Sequence, residues 1–226
     1  DADHRGEIGL RERVQLAEFR DRHLVAKNTV VAIFGDVRTA EVRKAVEKAF
    51  GKLPAGGSVL RDAGSCPPLS ASKEIDAVKN KAQAVLMVGT RGSDFFGPDR
   101  AALDLIDEAC SDLGSRLFLR IREQMGLAYF VGTSHVPGLG AGSFVFYVGT
   151  DPAKIEEVKA ALREEIARLA EGGLTGEELA RAKAKLIGAQ EIRNQSNDAF
   201  AFTCALDELY GLGFGHHRVQ REEIQK

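Results

Sequence analysis

Two β-rich runs, LAYFVGTSHV and GSFVFYVGT, are joined by nothing longer than PGLGAG, and this spacing constrains the fold more than any other feature. So short a connection joins neighbouring strands in the antiparallel sense, because a parallel pair needs a crossover of a dozen or more residues. The glycines superficially resemble a phosphate-binding cradle. Such a cradle links strand to helix, whereas this loop links strand to strand and reads as a hairpin. A third apolar run, AQAVLMVGT, lies upstream and reads as another strand. Between and after the strands come helical patterns. Gly97-Pro98 opens a helix through DRAALDLIDEAC, and RLFLRIREQM reads as an amphipathic helix stopped by Gly126. Asp151-Pro152 starts a helix with Ile155, Val158, Leu162, Ile166 and Leu169 on one face. LTGEEL supplies a capping box, Thr175 with Glu178, for a second long helix to about Asn194, and DAFAFTCALDELYG makes a further one. Strand, helix, helix, strand, strand, helix, helix specifies an α+β fold, an antiparallel or mixed sheet with helices packed on one face.

The opening of the chain is organised differently. LRERVQLAEFRDRHL reads as a helix, and NTVVAIFGD as a strand apolar on both faces. Thr39 caps a helix with Val42, Ala45, Val46, Ala49 and Phe50 at helical spacing, and Gly51 stops it. Helix, strand, helix is too little to fold alone. PAGGSVLRDAGSCPPLSASK then lacks any periodicity and reads as a boundary between lobes. The organisation is therefore 1–54, a helix-strand-helix tail; 55–74, a linker; and 75–226, the principal domain.

Composition narrows the chemistry. A formal net charge of −2 with no basic block gives nucleic acid no electrostatic foothold. No run approaches the ~20 apolar residues of a membrane span. Cys66, Cys110 and Cys204 are widely spaced without a C-x-x-C, which argues against a zinc site or a disulfide framework. Cys110 and Cys204 read as small buried hydrophobes, and Cys66 as a linker thiol. His4, His23 and His135 are isolated, and His216-His217 has no ligand neighbour and reads as a solvated loop. No metal set emerges.

Arg122 and Tyr129 are the candidate site residues. Arg122 occupies the last helical turn, flanking the stripe Leu117, Phe118, Ile121 and Met125. Tyr129 sits just inside the next strand, on a face with Leu127 and Val131. Both are donors suited to a carbonyl oxygen or an oxyanion. An ordinary reading stands beside this one: an arginine at a helix C-terminus complements the helix dipole by ~0.3–1 kcal/mol, and a tyrosine in a strand is common packing.

SRLFLRIREQMGLAYFV resembles the signature of the second half of insulinase-like (pitrilysin-type) zinc metallopeptidases. NTVVAIFGDVRTAEVRKAVEKAFGKLP resembles the strand–GD–helix element that closes the first half of such proteins. AQAVLMVGT, GSFVFYVGT and LTGEELARAKAKLIG fall in the family's order and spacing. The catalytic half of that family carries H-x-x-E-H, and this sequence contains no such motif. The resemblance thus implies a zinc-free second half, part of a peptidase but not competent alone. It implies a zinc-bearing half or partner subunit, a peptide substrate and, by likeness to bacterial relatives, a periplasmic setting. Arg122 and Tyr129 match the positions that reach into the zinc site and bind the substrate backbone and the tetrahedral intermediate. It also implies that the second half is cut short, so that Val30–Phe34 pairs with the second unit's sheet or with that of a second copy in a homodimer. Two rival readings are a non-catalytic scaffolding subunit of the same family and a plain α+β interaction module in which Arg122 only caps a helix.

Overall fold

The structure, a computed structural model, describes residues 13–57, 67 and 70–225. In chain order the elements are α1 (Arg13–His23), α2 (Thr39–Phe50), β1 (Ala84–Gly92), α3 (Arg100–Cys110), a π-helix (Phe118–Gln124), β2 (Phe130–Val136), β3 (Gly142–Thr150), α4 (Ile155–Gly172), α5 (Gly176–Asn194), α6 (Asn197–Tyr210) and α7 (His216–Gln225). Contacts divide them into two units, one drawn from Asp1–Asp62 and Ser196–His216, the other from Ala63–Gln195 and His217–Lys226.

In the larger unit the hairpin forms as its spacing requires. The strand order is β1-β3-β2 and both pairings are antiparallel. Val148 lies opposite Leu86 on one side and Val131 on the other; Phe146 lies opposite Val88 and Thr133. Alternation sends Phe144, Phe146 and Val148 of β3 to a single face. There they meet Cys110 of α3, Leu117 just before the π-helix and Ile121 within it, and Val158, Ala161 and Leu162 of α4, with Leu86, Val88 and Val131 packed around them. A second layer joins Leu105 and Ala109 of α3 to Ala182 of α5 and Ile224 of α7. Burying each such leucine, valine or isoleucine contributes about 1.5–3 kcal/mol. The fold is thus α+β with its helices on one face. The other face of the sheet leaves Val85, Met87 and Val136 exposed.

Local chemistry sets the helix starts. The Asp151 side chain accepts a hydrogen bond from the Ala153 amide at 2.9 Å, opening a short 3₁₀ turn that runs into α4. Thr175 and Glu178 form the reciprocal capping box of α5, at 3.2 and 2.8 Å.

The smaller unit has much less interior. Among its described residues only Val25 and Cys204 are buried. The Ala26 and Lys27 amides donate to the carbonyls of Pro54 and Ala55, at 2.7 and 3.1 Å, and the rings of Phe34 and Phe200 meet edge to face at 4.9 Å. Residues 196–216, with α6, cluster with this unit.

Four local expectations change. Val30–Phe34 forms no ladder among the described residues, and Val31, Ile33 and Phe34 are exposed. An apolar run becomes a strand only when a neighbour supplies its hydrogen bonds, so the element invoked for strand pairing in a homodimer is not formed in this structure. Thr39 is the first residue of α2 and is not its cap; Arg38 precedes it without a side-chain capping bond. His216 and His217 begin a helix and are half-buried, and the His217 carbonyl accepts from Gln190 at 2.8 Å, so they are not a solvated loop. The helix expected to run to Gly126 is π-helical from Phe118 to Gln124. Cys110 and Cys204 are buried as the pattern suggested, and burial pushes the Cys110 thiol up to about 12. Cys66 and His4 lie outside the described residues.

Candidate functional site

The π-helix and the turn after it carry both candidate side chains. Leu117 and Ile121 anchor the helix in the core, 1% and 0% exposed. The Met125 amide donates to the Arg120 carbonyl at 3.0 Å, the five-residue closure that defines a π turn. The Leu127 amide reaches further, to the Ile121 carbonyl at 3.0 Å. Gly126 then takes φ +62°, a left-handed conformation that other residues adopt only with strain, and the chain leaves the helix.

The connection to the sheet is pinned at several points. Thr150 Oγ1 donates to the Leu127 carbonyl at 2.5 Å in the interior, and Lys154 Nζ donates to the Gly126 carbonyl at 3.2 Å. The Tyr129 amide donates to the Gly149 carbonyl at 2.8 Å. A side chain at Gly149 would collide with the Phe130 ring, which would have to shift to admit it. The strand starts at Phe130, three residues later than the run LAYFVGTSHV suggests, so Tyr129 lies just before the ladder. Leu127 is buried, while Tyr129 is 58% exposed.

Three arginines share this helical segment and differ in their partners. Arg116 meets the Glu178 carboxylate with Nε at 2.8 Å and with Nη2, and also reaches the Gly173 carbonyl at 3.0 Å. The Arg116 hydrogen bonds, with those from Thr175, hold the Glu178 carboxyl down to about 2 against the effect of burial, and Glu178 in turn raises Arg116. Arg120 bridges Glu164 at 2.5 Å and Glu165 at 3.1 Å. Arg122 is exposed, and its guanidinium lies 4.7 Å from the centroid of the Phe118 ring. Among the described residues no carboxylate pairs with Arg122 within ion-pair distance. Its donors, like the Tyr129 hydroxyl, are available to an incoming acceptor.

Sequence reasoning passed over two polar networks. Glu165 stands among Val158, Ala161, Leu162 and Ile166 on the buried side of α4, its side chain 5% exposed. A carboxylate inside an apolar stripe signals a buried acid in need of a cation, and this was readable. The other network surrounds His135, whose ring is fully enclosed rather than isolated. Its Nδ1 lies 2.7 Å from Asp104 Oδ1, its Nε2 lies 3.3 Å from Ser93 Oγ, and its amide donates to Asp107 Oδ2 at 3.1 Å. Thr133 Oγ1 donates to Asp107 Oδ1 at 2.7 Å. Hydroxyl, imidazole and carboxylate stand in the order of a nucleophile relay, but the enclosed ring serves to fasten edge strand β2 onto α3. Its partners come from sequence positions 28 to 42 residues away, with no local signature. Among the described residues no group of three or more His, Cys, Asp or Glu could hold a metal ion, and no helix is long and apolar enough to cross a membrane.

The sequence profile of the peptidase M16 inactive domain matches residues 12–186, and the chain belongs to that family. A Rickettsia bellii protein named as an uncharacterized zinc protease is 30% identical over 176 residues, covering 77% of this chain and 42% of the relative. A more distant Helicobacter pylori relative, named non-peptidase homolog YmxG, is 26% identical over 240 residues, covering 97% of this chain and 52% of its own. The crystal structure of a peptidase M16 inactive domain from Pseudomonas fluorescens superposes with a TM-score of 0.78 at 24% identity, over 96% of this chain and 52% of that one. That likeness establishes the fold. The chain spans about half the length of these relatives.

Proposed function

We propose that this chain is the zinc-free, substrate-positioning domain of a metalloendopeptidase, and that Arg122 and Tyr129 act on a peptide carbonyl held at a zinc site on another half or another chain. The observation that carries this reading is the contrast along one helical segment. Arg116 and Arg120 are each bonded to carboxylates, whereas Arg122 is exposed with no such partner among the described residues. Zinc bound in the partner half would supply an activated water as nucleophile. The work of this chain is to bind and orient. The Arg122 guanidinium and the Tyr129 hydroxyl donate to the carbonyl oxygen, and their bonds strengthen as negative charge develops there. The π-helix and the pinned turn hold both donors before substrate arrives, so little reorganisation is needed at the moment of reaction.

Metal analysis and peptide-cleavage assays test this reading. The expected result is no stoichiometric zinc and no cleavage by the chain alone, with turnover on adding a zinc-bearing half of the same family. One tightly bound zinc per chain, lost together with activity on chelation, overturns it. A second reading, a scaffolding subunit, is favoured by the name of the Helicobacter relative. Assembly with a partner half that leaves peptides uncut, and tolerates Arg122→Ala, would establish that one instead.

A further inference from the structure

The interior bridge from Arg120 to Glu165 demands its own explanation. Glu165 is a carboxylate with a side chain 5% exposed, set in the apolar face of α4. A buried ion pair is seldom a net source of stability, since an apolar pair of similar volume does as well or better. Arg120 spends its guanidinium on two carboxylates at once, Nη2 on Glu164 at 2.5 Å and Nη1 on Glu165 at 3.1 Å. Only a planar fork can make both bonds in fixed directions. Arg168, itself half-exposed, contributes a second, longer contact to Glu165 at 3.2 Å.

The fork ties the Arg120 side chain to α4, and the Arg120 backbone does unusual work. Its carbonyl accepts the Met125 amide at 3.0 Å, the bond that closes the π turn. π turns are rare and persist where their surroundings over-determine them. Immediately beyond come the left-handed Gly126 and the pinned approach to Tyr129. Arg122 lies inside the same closed turn. From this connectivity we infer that Arg120 and Glu165 are positioning residues, which act by locking the π turn that presents Arg122 and delivers the chain to Tyr129. The lock is a property of the fold; its catalytic consequence rests on the proposed function.

Amide hydrogen exchange on this chain tests the lock. Glu165→Gln keeps the volume and removes the charge, and the double variant Arg120→Met/Glu165→Leu replaces the bridge with an apolar contact that supports folding. In both, the Met125, Gly126 and Leu127 amides should exchange about tenfold faster or more, with the Val148 amide of β3 unchanged and the double variant melting near the wild-type temperature. Unchanged exchange at residues 125–127, or faster exchange spread evenly through the domain, overturns the inference. Turnover with the zinc-bearing half separates the two proposals. If the lock positions Arg122, the double variant should lose kcat about 10–100-fold at unchanged zinc content, the scale of a misplaced catalytic group. Local loosening with full turnover, while Arg122→Ala is inactive, also overturns a positioning role. Local loosening with an Arg122→Ala protein that is fully active leaves the lock standing and defeats the proposed function.

Discussion

The two sides of the Arg116–Gln124 segment differ in how completely their charges are satisfied. On the inner side, Arg116 meets Glu178 and the Gly173 carbonyl, and Arg120 meets Glu164 and Glu165. On the outer side Arg122 rests on a phenyl ring and Tyr129 stands 58% exposed. One segment therefore carries arginines of two kinds, those that hold the fold and one that the fold holds out. Substitutions at Arg122 and Tyr129 and substitutions that break the Arg116–Glu178 pair should accordingly move different observables.

The largest expected effect lies on the outer side. In the enzyme assembled with a zinc-bearing half, Arg122→Ala should lower kcat/KM by ~10³ or more if the proposed function holds, because it would then remove an oxyanion donor and a contact to the substrate backbone. Steady-state kinetics beside a thermal melt would check this; a drop in melting temperature as large as that of Arg116→Ala breaks the contrast. Tyr129→Phe should lower kcat by ~10²–10³, the usual effect of losing one such donor, again with an unchanged melt. Full activity in both variants would make the outer side structural as well.

Breaking the Arg116–Glu178 pair on the inner side should act on stability. Arg116→Ala leaves Glu178 largely buried without its cation. Breaking a fully buried pair costs about 3–5 kcal/mol, and partial exposure of this one reduces the expectation to about 2 kcal/mol. For a chain of this size that corresponds to a melting temperature lower by about 4–8 °C, measurable by calorimetry. The same pair predicts a pH dependence. The Glu178 carboxyl is lowered from 4.5 to about 2, so its contribution is complete above pH 4.5 and is lost as pH falls from 4.5 through 2. Melts between pH 7 and 2.5 should decline more steeply below pH 4.5 in the wild type than in Glu178→Gln. Equal slopes would mean that the pair contributes nothing to the acid limb. The smallest effect concerns the ring beneath Arg122. Phe118→Leu removes a cation–π contact of about 0.5–1 kcal/mol and should chiefly shift the Arg122 side-chain signals in NMR spectra, through loss of the ring current. Unshifted signals would show that the ring does not lie against the guanidinium.

How much of this could be read in advance depended on the range of the interaction. The hairpin, the Thr175–Glu178 capping box and the Gly126 stop are written within a few residues, and the structure contains all three. The spacing of Arg122 and Tyr129 is also local, and so was the family likeness built on it. The partners of Arg116 and Arg120 lie 62 and 44 residues away, where periodicity carries no information. Val30–Phe34 failed as a strand for the complementary reason: its apolar pattern is local, but the hydrogen bonds that would make it a strand are not.

The sequence by itself determined the α+β order of elements and the faces of the helices turned to the core, and it singled out Arg122 and Tyr129 as candidates, because alternation, capping and turn chemistry act over one to four residues. The tertiary structure decided which of three nearby arginines is free. That outcome depends on where α4 and α5 place Glu164, Glu165 and Glu178. It also decided that the helix widens into a π turn before Gly126, which the helix's own sequence does not specify. Packing of Leu117 and Ile121, together with ion pairs closed only after the chain has folded back on itself, holds the backbone in a form it would not keep alone.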